Sequence, residues 1–365
     1  MSGSHIYVKQ NEAALKGRGT TLNPSHRFEA ASHENFDDGW DFAEETEKPR
    51  TSLIKDTTRS IITRNDSPDL NFSSSINPYR GCEHGCIYCF ARPSHAYLGF
   101  SSGLDFETKI IFKPEAPRLL EKELSRPGYK PSVIVLGSNT DPYQPVERTL
   151  GLTRAILEIL ERFNHPVGII TKSANVLRDR ECLARLSAKG LARIHISITT
   201  LNPDLARIME PRAASPKRRL AAISSLAQDG IAVGVMASPM IPGLNDAEFE
   251  TILDKAAQAG ATSAATSLLR LPHELGDLLT HWLQQHLPDR AAHVLSLIRQ
   301  TRDGALNHPD FHHRFQGNGP YAALLAQRFL TTIKRLGLTK ADAGLDLSQF
   351  HVPGRTPAPL QMNLF

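Results

Sequence analysis

The sequence predicts an α/β fold, a partial TIM-type (β/α)6 barrel with an extension at each end. Three observations predict it. Short apolar runs rich in Val and Ile alternate with amphipathic stretches of helical length from about residue 72 onward, and such runs are typical of parallel strands buried on both faces. Their spacing favours βα units in one sheet or barrel. Polar residues follow successive strands, at the edge where α/β folds build their sites.

Six βα units are predicted within residues 71–271. The strands are expected at 73–76, 133–136, 167–170, 194–198, 231–235 and 261–269. The helices are expected at 117–124, 146–163, 178–189, 216–229 and 246–259. Eight units close a TIM barrel, so a barrel of six is expected to stay open.

The two flanking regions differ in composition from the barrel. Residues 1–70 lack periodicity and carry seven acids and no base between Glu34 and Glu47, which predicts a poorly ordered extension. Parts of it are expected to pack on the barrel, since aromatic residues such as Trp40 are rarely left exposed. Residues 272–350 predict a helical extension, and residues 351–365 predict a proline-containing tail. The helices of the C-terminal extension are expected at 275–287, 293–300 and 321–336.

The composition excludes several classes of protein. Of 365 residues, 40% are hydrophobic and 22% charged, as in ordinary globular proteins. No apolar run approaches the ~18 residues of a membrane span, and the N-terminus lacks a signal-peptide core. A cytoplasmic protein without a membrane partner is therefore expected. The net charge is +4, with bases grouped in 207–219 and 290–340. These groups either contact nucleic-acid phosphate or form solvated helix faces.

Three of the four cysteines form one short motif in a glycine-containing loop. Cys82, Cys86 and Cys89 have the spacing C-x3-C-x2-C, and thiolates ligate soft metals and iron–sulfur clusters. Three thiolates can hold three corners of a [4Fe–4S] cluster, which leaves the fourth iron free to bind a small molecule. Zinc is the alternative, with His84 or His95 completing a Cys3His site.

The motif resembles the C-x3-C-x-aromatic-C signature of the radical S-adenosylmethionine superfamily, with Tyr88 as the aromatic residue. Segments 77–90, 139–145 and 171–173 resemble bacterial members related to spore photoproduct lyase, most closely a little-characterised subgroup. The resemblance implies a [4Fe–4S] cluster, S-adenosyl-L-methionine, and an electron donor such as flavodoxin or ferredoxin. It also implies hydrogen abstraction from substrate by a 5′-deoxyadenosyl radical.

The resemblance further implies contacts to S-adenosylmethionine at the strand ends. Lys172 would bind the methionine carboxylate, and Tyr88 would contact adenine through its backbone. Ser197 and Thr199 would reach the ribose hydroxyls. The residues after the second strand that would lie near the methionine amine are Ser138, Asn139 and Asp141. Arg212 and Asn245 are weaker candidates, and local loop contacts remain the alternative for every one of these residues.

One departure from the photoproduct lyases concerns a thiol. Those enzymes place a cysteine close to the serine after the second strand, where it returns a hydrogen to the product radical. Here Gly137 precedes Ser138, and the remaining cysteine, Cys182, lies in a predicted helix, where a role in the core is expected. The departure makes photoproduct repair doubtful and leaves another lesion, RNA or a different substrate class open.

The last five residues resemble the peptide by which bacterial replication and repair proteins bind the β sliding clamp. Two adjacent apolar anchors on a flexible tether suit a groove, although these side chains could instead dock on their own domain. The residues concerned are Gln361, Met362, Leu364 and Phe365.

Three functions are consistent with these features. The first is a radical enzyme that acts on nucleic acid, in the manner of DNA-lesion repair. The second is a radical enzyme that modifies a small molecule or a peptide. The third is a non-catalytic protein that binds a cluster or zinc and acts through its tail.

Overall fold

The computed structural model describes residues 15–29, 49–340 and 344–354. It contains an α/β core with two sheets. The strands are β1 (Ser52–Lys55), β2 (Thr63–Arg64), β3 (Ser74–Ile76), β4 (Tyr79–Arg80), β5 (Lys109–Phe112), β6 (Ile134–Leu136), β7 (Val167–Thr171), β8 (Ala192–Ser197), β9 (Val233–Met240), β10 (Ser263–Leu268) and β11 (Thr339–Lys340).

The helices alternate with the core strands from β6 to β10 and then continue alone. They are α1 (Leu104–Thr108), α2 (Ala116–Leu124), α3 (Glu147–Leu150), α4 (Leu152–Arg162), α5 (Arg180–Ala188), α6 (Pro203–Met209), α7 (Pro216–Gln228), α8 (Phe249–Gln258), α9 (Leu275–His286), α10 (Pro288–Gln300) and α11 (Gly319–Leu336). No helix in the described ranges is both long and apolar enough to cross a membrane.

The main sheet confirms the predicted partial barrel. Its strand order is β11-β10-β9-β8-β7-β6-β3-β2, and all neighbours from β3 to β11 are parallel. β2 adds an antiparallel edge beside β3. Each predicted strand is present, and the strand order from β6 to β10 follows the sequence, because each βα crossover lays a new parallel strand beside the last. Within the described chain the two ends of the sheet do not pair with each other, so the barrel stays open.

The core between the sheet and its helices is apolar, as the strand patterns predict. Strand β7 contributes Val167 and Ile169, and helix α4 contributes Ile156 and Leu160, all at or near zero exposure. The predicted helix over 146–163 is divided into α3 and α4 because Gly151 takes a left-handed conformation (φ 63°) between them. Periodicity alone does not predict this break, since a single glycine is tolerated within a helical pattern.

A small second sheet, absent from the sequence prediction, frames the cysteine motif. β5 pairs with β1 in parallel and with β4 in antiparallel orientation. β4 has only two residues and β1 has four exposed ones, so neither carries an apolar pattern that sequence reasoning could detect. Within the N-terminal extension, residues 15–29 and 49–56 pack in this region, whereas residues 61–69 contact β3, α2 and Arg314. Trp40 lies outside the described residues.

Candidate active site

The cysteine loop (residues 81–89) begins directly after β4, at the carboxyl edge of the barrel. The side chains of Cys82 and Cys86 are buried, and Cys89 is partly exposed. The Cys82 N–H donates to the carbonyl oxygen of Phe106 at 2.9 Å. Gly81 has φ 80°, and a Cβ there would lie 2.8 Å from both the Phe106 carbonyl oxygen and the ring of His95. The loop therefore requires glycine at this position.

A buried arginine holds the backbone of the loop. The Arg92 guanidinium donates to the carbonyl oxygens of Cys86 at 2.8 Å and Gly85 at 3.2 Å. It also binds Glu107 Oε1 at 2.5 Å, and both side chains are fully buried. A buried pair of this kind is stable only when its hydrogen bonds are satisfied. Arg92 fixes the curvature of the loop, and the sequence offered no signal for it beyond an arginine three residues after Cys89.

The donor set suits a cluster better than a single ion. Among the described residues, no three His, Cys, Asp or Glu side chains lie close enough to share one metal ion, whereas a cubane gives each thiolate its own iron. The two histidines proposed for zinc have other contacts: His84 Nδ1 lies 3.3 Å from Asp141, and His95 Nε2 lies 3.0 Å from the Lys109 carbonyl oxygen. The arrangement does not favour zinc.

The thiols are buried more deeply than free thiolates tolerate. Burial raises the pKa of Cys82, and it raises the pKa of Cys86 to about 12 although Lys172 opposes the shift. Without a bound cation the thiols of Cys82 and Cys86 would stay protonated. Iron bound at these sulfurs would supply the missing positive charge, so the residues present fit a cluster.

The residues after β6 hydrogen-bond to the backbone of the cysteine loop. Thr140 Oγ1 donates to the Gly81 carbonyl oxygen at 2.6 Å. Gln144 accepts from the Glu83 N–H at 2.9 Å and donates to Gly81 at 3.3 Å. The resemblance places Thr140 in the segment 137–141 expected near the methionine amine and implies no function for Gln144, and none of these hydrogen bonds to the loop is visible in the sequence.

Asp141 connects three segments. Its carboxylate accepts from the backbone N–H of Lys172 at 2.8 Å and from the Thr171 hydroxyl at 2.7 Å, and it lies next to His84. Burial raises the pKa of Asp141, but His84 and these hydrogen bonds lower it to about 2. The carboxylate is thus a fixed anion that ties the cysteine loop to the end of β7.

Ser138 and Asn139 lie beside Asn77, which precedes the loop. Asn77 Nδ2 donates to Ser138 Oγ at 3.1 Å, and the Asn139 N–H donates to Asn77 Oδ1 at 3.0 Å. The Asn139 amide reaches Ser94 Oγ at 3.4 Å. Both predicted residues are therefore partly exposed at the carboxyl edge, close to the turn that leads into the cysteines.

Lys172 lies at the end of β7 with its ammonium 5.6 Å from the centroid of the Tyr88 ring. Across residues 15–29, 49–340 and 344–354 this ammonium has no hydrogen bond and no ion pair. The charge lies near Cys86 and Glu210, as their pKa values reflect. A cation without a partner, beside buried thiols, is suited to bind a ligand carboxylate.

A buried network links Tyr88 to the end of β8. The Tyr88 hydroxyl hydrogen-bonds to Glu210 and lies 3.1 Å from Thr199 Oγ1. Glu210 forms a buried ion pair with Arg219, which donates to the Ser197 carbonyl oxygen at 3.0 Å. Burial raises the pKa of Glu210, but Arg219 and Lys172 lower it to about 2.

The hydroxyls of Ser197 and Thr199 are buried and hydrogen-bonded within the protein. Ser197 Oγ donates to the Ser238 carbonyl oxygen at 3.2 Å, and Thr199 Oγ1 donates to Glu210 at 2.8 Å. Asn245 is fully buried and caps the same region through the Thr199 carbonyl oxygen at 2.8 Å.

The basic stretch 207–219 is not a uniform phosphate-binding surface. Arg219 is buried against Glu210, and Arg212 pairs with Glu83 at 3.1 Å. The sequence alone predicts these arginines as surface charges. Glu83, the partner of Arg212, is far away in the chain, and Glu210 precedes Arg219 by 9 residues, outside the spacing of a helical ion pair. Both bases instead hold the cysteine loop and its neighbours in place.

Two features concern the hydrogen-donating thiol that photoproduct lyases place next to the serine after the second strand. Cys182 is fully buried on α5, in the core between α5 and the sheet, as expected. Gly137 has φ 94°, and a Cβ there would lie 2.1 Å from the Ile170 carbonyl oxygen. The backbone therefore has no room for a cysteine directly before Ser138.

Comparison with known proteins agrees with this geometry. The sequence pattern of the Radical SAM superfamily matches residues 76–256. An uncharacterised protein of Mycobacterium tuberculosis is 34% identical over 233 residues, which are 63% of this chain and 68% of that protein. An uncharacterised protein of Methanocaldococcus jannaschii is 29% identical over 174 residues, 48% of this chain and 62% of that protein.

Among solved structures, spore photoproduct lyase complexed with dinucleoside spore photoproduct has a TM-score of 0.57 at 16% identity, over 79% of this chain and 81% of that one. A mutant of the same lyase with bound AdoMet and the photoproduct has a TM-score of 0.55. These likenesses show a shared fold. The cysteine loop, the open six-stranded barrel and the sequence match agree that the chain belongs to the radical SAM superfamily, whose enzymes use a [4Fe–4S] cluster, S-adenosylmethionine and a reductant.

Proposed function

We propose that Cys82, Cys86 and Cys89 hold a [4Fe–4S] cluster and that the protein cleaves S-adenosylmethionine reductively to abstract hydrogen from a nucleic acid. The observation that carries the proposal is the partnerless ammonium of Lys172, 5.6 Å from the Tyr88 ring and beside the buried thiols. When bound and reduced, the cluster and S-adenosylmethionine supply a carbon radical that removes a hydrogen atom.

The residues of the chain bind and orient S-adenosylmethionine, and they exclude water. Lys172 binds the methionine carboxylate as a point charge. Ser138 and Asn139 lie at the strand end, where they would meet the methionine amine, and Asp141 accepts a hydrogen bond from the Lys172 backbone N–H at 2.8 Å. Tyr88 presents its backbone to adenine, while its hydroxyl stays anchored to Glu210.

Ser197 and Thr199 support this site through the Tyr88 network, and they reach a ribose only if they exchange their present hydrogen bonds. Leu22 and residues of α9 and α10 belong to the same buried apolar cluster as Cys86, and this apolar cover would limit the access of water to the sulfurs. A radical reacts with whatever is close, so a dry site protects the reaction.

The nucleic-acid substrate is supported by two observations. A protein of the same fold is complexed with dinucleoside spore photoproduct, and Arg270 and Arg314, the latter from the 290–340 stretch, flank Phe315 at the carboxyl end of β10. The closed position at Gly137 argues for a substrate other than the photoproduct. We further propose a cytoplasmic location and a flavodoxin or ferredoxin as reductant.

The clamp-binding peptide stays a prediction, because Gln361, Met362, Leu364 and Phe365 lie outside the described residues. A pull-down with purified β clamp would compare the full chain with one ending at Leu360. Retention of the full chain alone is expected, and equal retention of both would contradict the prediction.

The main experiment measures 5′-deoxyadenosine from anaerobically reconstituted, reduced protein, with single-stranded DNA, with RNA and with neither. The wild type is expected to form it and to respond to nucleic acid. Cys86→Ala should abolish formation, whereas the matched variant Cys182→Ala should keep it. A cluster-loaded wild type that forms none would contradict the proposal. Formation that is indifferent to nucleic acid would favour a small-molecule or peptide substrate.

A further inference from the structure

The loop between α10 and α11, residues 301–318, lies against the carboxyl end of the last barrel strand. Arg302 is fully buried and donates to the carbonyl oxygens of Leu269 at 2.5 Å and His313 at 2.6 Å. The Leu268 N–H donates to the carbonyl oxygen of Phe315 at 2.8 Å. These bonds fix Phe315 at the edge where the cysteine loop also ends.

Arginines and phenylalanines alternate along this edge. The Arg270 Cζ lies 5.7 Å from the ring centroid of Phe90 and 4.7 Å from that of Phe315. The Arg314 Cζ lies 5.2 Å from Phe315 and 4.5 Å from Phe311. We call these five residues the arginine–phenylalanine ladder. It begins at Phe90, the residue after Cys89, and leads outward from the proposed cluster.

The two terminal rings of the ladder are open to solvent. Phe90 is 46% exposed and Phe311 is 49% exposed. Single exposed apolar side chains are common on protein surfaces. Two exposed rings at the ends of a series of guanidinium groups, next to the proposed active site, are a more specific arrangement. Aromatic faces flanked by cations are the surface on which unstacked bases bind.

The charge of Arg270 has no anionic partner within the described ranges of the chain. Its Nε atom is shielded from solvent and makes no hydrogen bond, and the guanidinium forms no ion pair. Burial, and then Arg314, lower the pKa of Arg270 to about 10. The nearby carboxylate of Asp69 is already engaged, because it accepts from Arg314 Nε at 2.5 Å and from the His312 N–H at 2.6 Å. A partly buried cation in this state would be stabilised by a bound anion.

We propose, building on the function proposed above, that the ladder binds one nucleotide of a single-stranded nucleic acid beside the radical site. The base stacks on the exposed ring of Phe90, and the adjoining phosphate pairs with Arg270. An alternation of rings and cations matches the alternation of bases and phosphates along a strand. A base inside a duplex cannot reach such a ring, so the substrate strand is single or has the target nucleotide extruded.

Fluorescence anisotropy with labelled single-stranded DNA, RNA of the same sequence and duplex DNA tests the proposal. The holoprotein is used without S-adenosylmethionine or reductant, so the result is independent of radical chemistry. Arg270→Gln is expected to weaken single-strand binding by about tenfold or more. It should also reduce the slope of log affinity against log salt concentration by about one. Phe315→Leu and Phe90→Leu are expected to weaken binding by about tenfold with an unchanged salt dependence.

The matched control is Arg118→Gln, an exposed arginine on α2 whose side chain is 68% exposed, and it should bind as the wild type does. Iron content and thermal melting establish that each variant is folded and loaded. Phe315→Leu serves if Phe90→Leu loses iron. Wild-type affinity in both Arg270→Gln and Phe315→Leu would overturn the proposal, as would equal binding of duplex and single strand. If the ladder binds a strand but no 5′-deoxyadenosine forms, the proposed reaction fails while the binding site stands.

Discussion

Gly19 of the N-terminal extension packs directly on Gly85 of the cysteine loop. A Cβ atom at Gly19 would lie 1.8 Å from the Gly85 carbonyl oxygen, and the Gly19 N–H donates to Glu107 Oε2 at 3.0 Å. Glu107 in turn holds Arg92, which binds the same loop. A segment more than sixty residues away in sequence therefore forms a wall against the backbone of the cysteine loop.

Gly19→Ala is expected to displace this wall. Overpacking of this kind costs about 1–3 kcal/mol, and the cysteine loop should hold less iron because its backbone must move. Iron per chain and visible absorbance after anaerobic reconstitution measure the effect. Gly344→Ala is the matched control, since a Cβ there meets nothing within 4 Å. Equal iron content in both variants would show that the contact does not shape the loop.

Lys172→Ala is expected to raise the KM for S-adenosylmethionine. A lost charge-assisted hydrogen bond costs about 1.5–3 kcal/mol, or roughly 10- to 150-fold. The cluster should be retained, because Lys172 binds no cysteine. Lys122→Ala, at an exposed site on α2, is the control. An unchanged KM in Lys172→Ala would rule out the carboxylate contact.

Gly137→Cys is not expected to create a hydrogen-donating thiol. The Cβ would lie 2.1 Å from the Ile170 carbonyl oxygen, at φ 94°, so the variant should be strongly destabilised. Thermal melting compares it with Gly168→Ala, whose Cβ would make only an ordinary 3.5 Å contact with Val135. A Gly137→Cys protein as stable as Gly168→Ala would disprove the steric interpretation.

His195 makes the stability of the protein depend on pH. Burial, and then Arg193, lower the pKa of this imidazole in β8 from 6.5 to about 4. The unfolded chain binds the proton near pH 6.5 but the folded chain only near pH 4. As far as His195 is concerned, the free energy of unfolding is therefore highest above pH 6.5, and it decreases as the pH falls toward 4.

Urea unfolding between pH 7.5 and 4.5 measures this loss, which is on the order of 1–3 kcal/mol for one histidine. His195→Gln should show a flatter dependence on pH than the wild type. His351→Gln, at an exposed position, should keep the wild-type slope. A His195→Gln slope equal to the wild type would contradict the prediction.

The sequence by itself determined the barrel and the three cysteines. β7 is a short apolar run and β8 alternates apolar and polar residues. Both patterns are local, so the positions of the two strands could be read within a few residues. The motif Cys82, Cys86 and Cys89 is also local, because its chemistry depends on spacing within one loop. Its resemblance to the radical SAM superfamily is confirmed.

Only the tertiary structure decided what surrounds the cysteines. Arg92, Gly19 and Glu210 look like ordinary loop residues in the sequence, and their roles arise from contacts across the fold. Glu210 and Arg219 become a buried pair only because α6 and α7 return to the end of β8. The arginine–phenylalanine ladder likewise joins Phe90 to residues about 180 and 225 positions later. Local periodicity cannot encode such contacts, since they depend on how distant segments meet at the carboxyl edge of the open barrel.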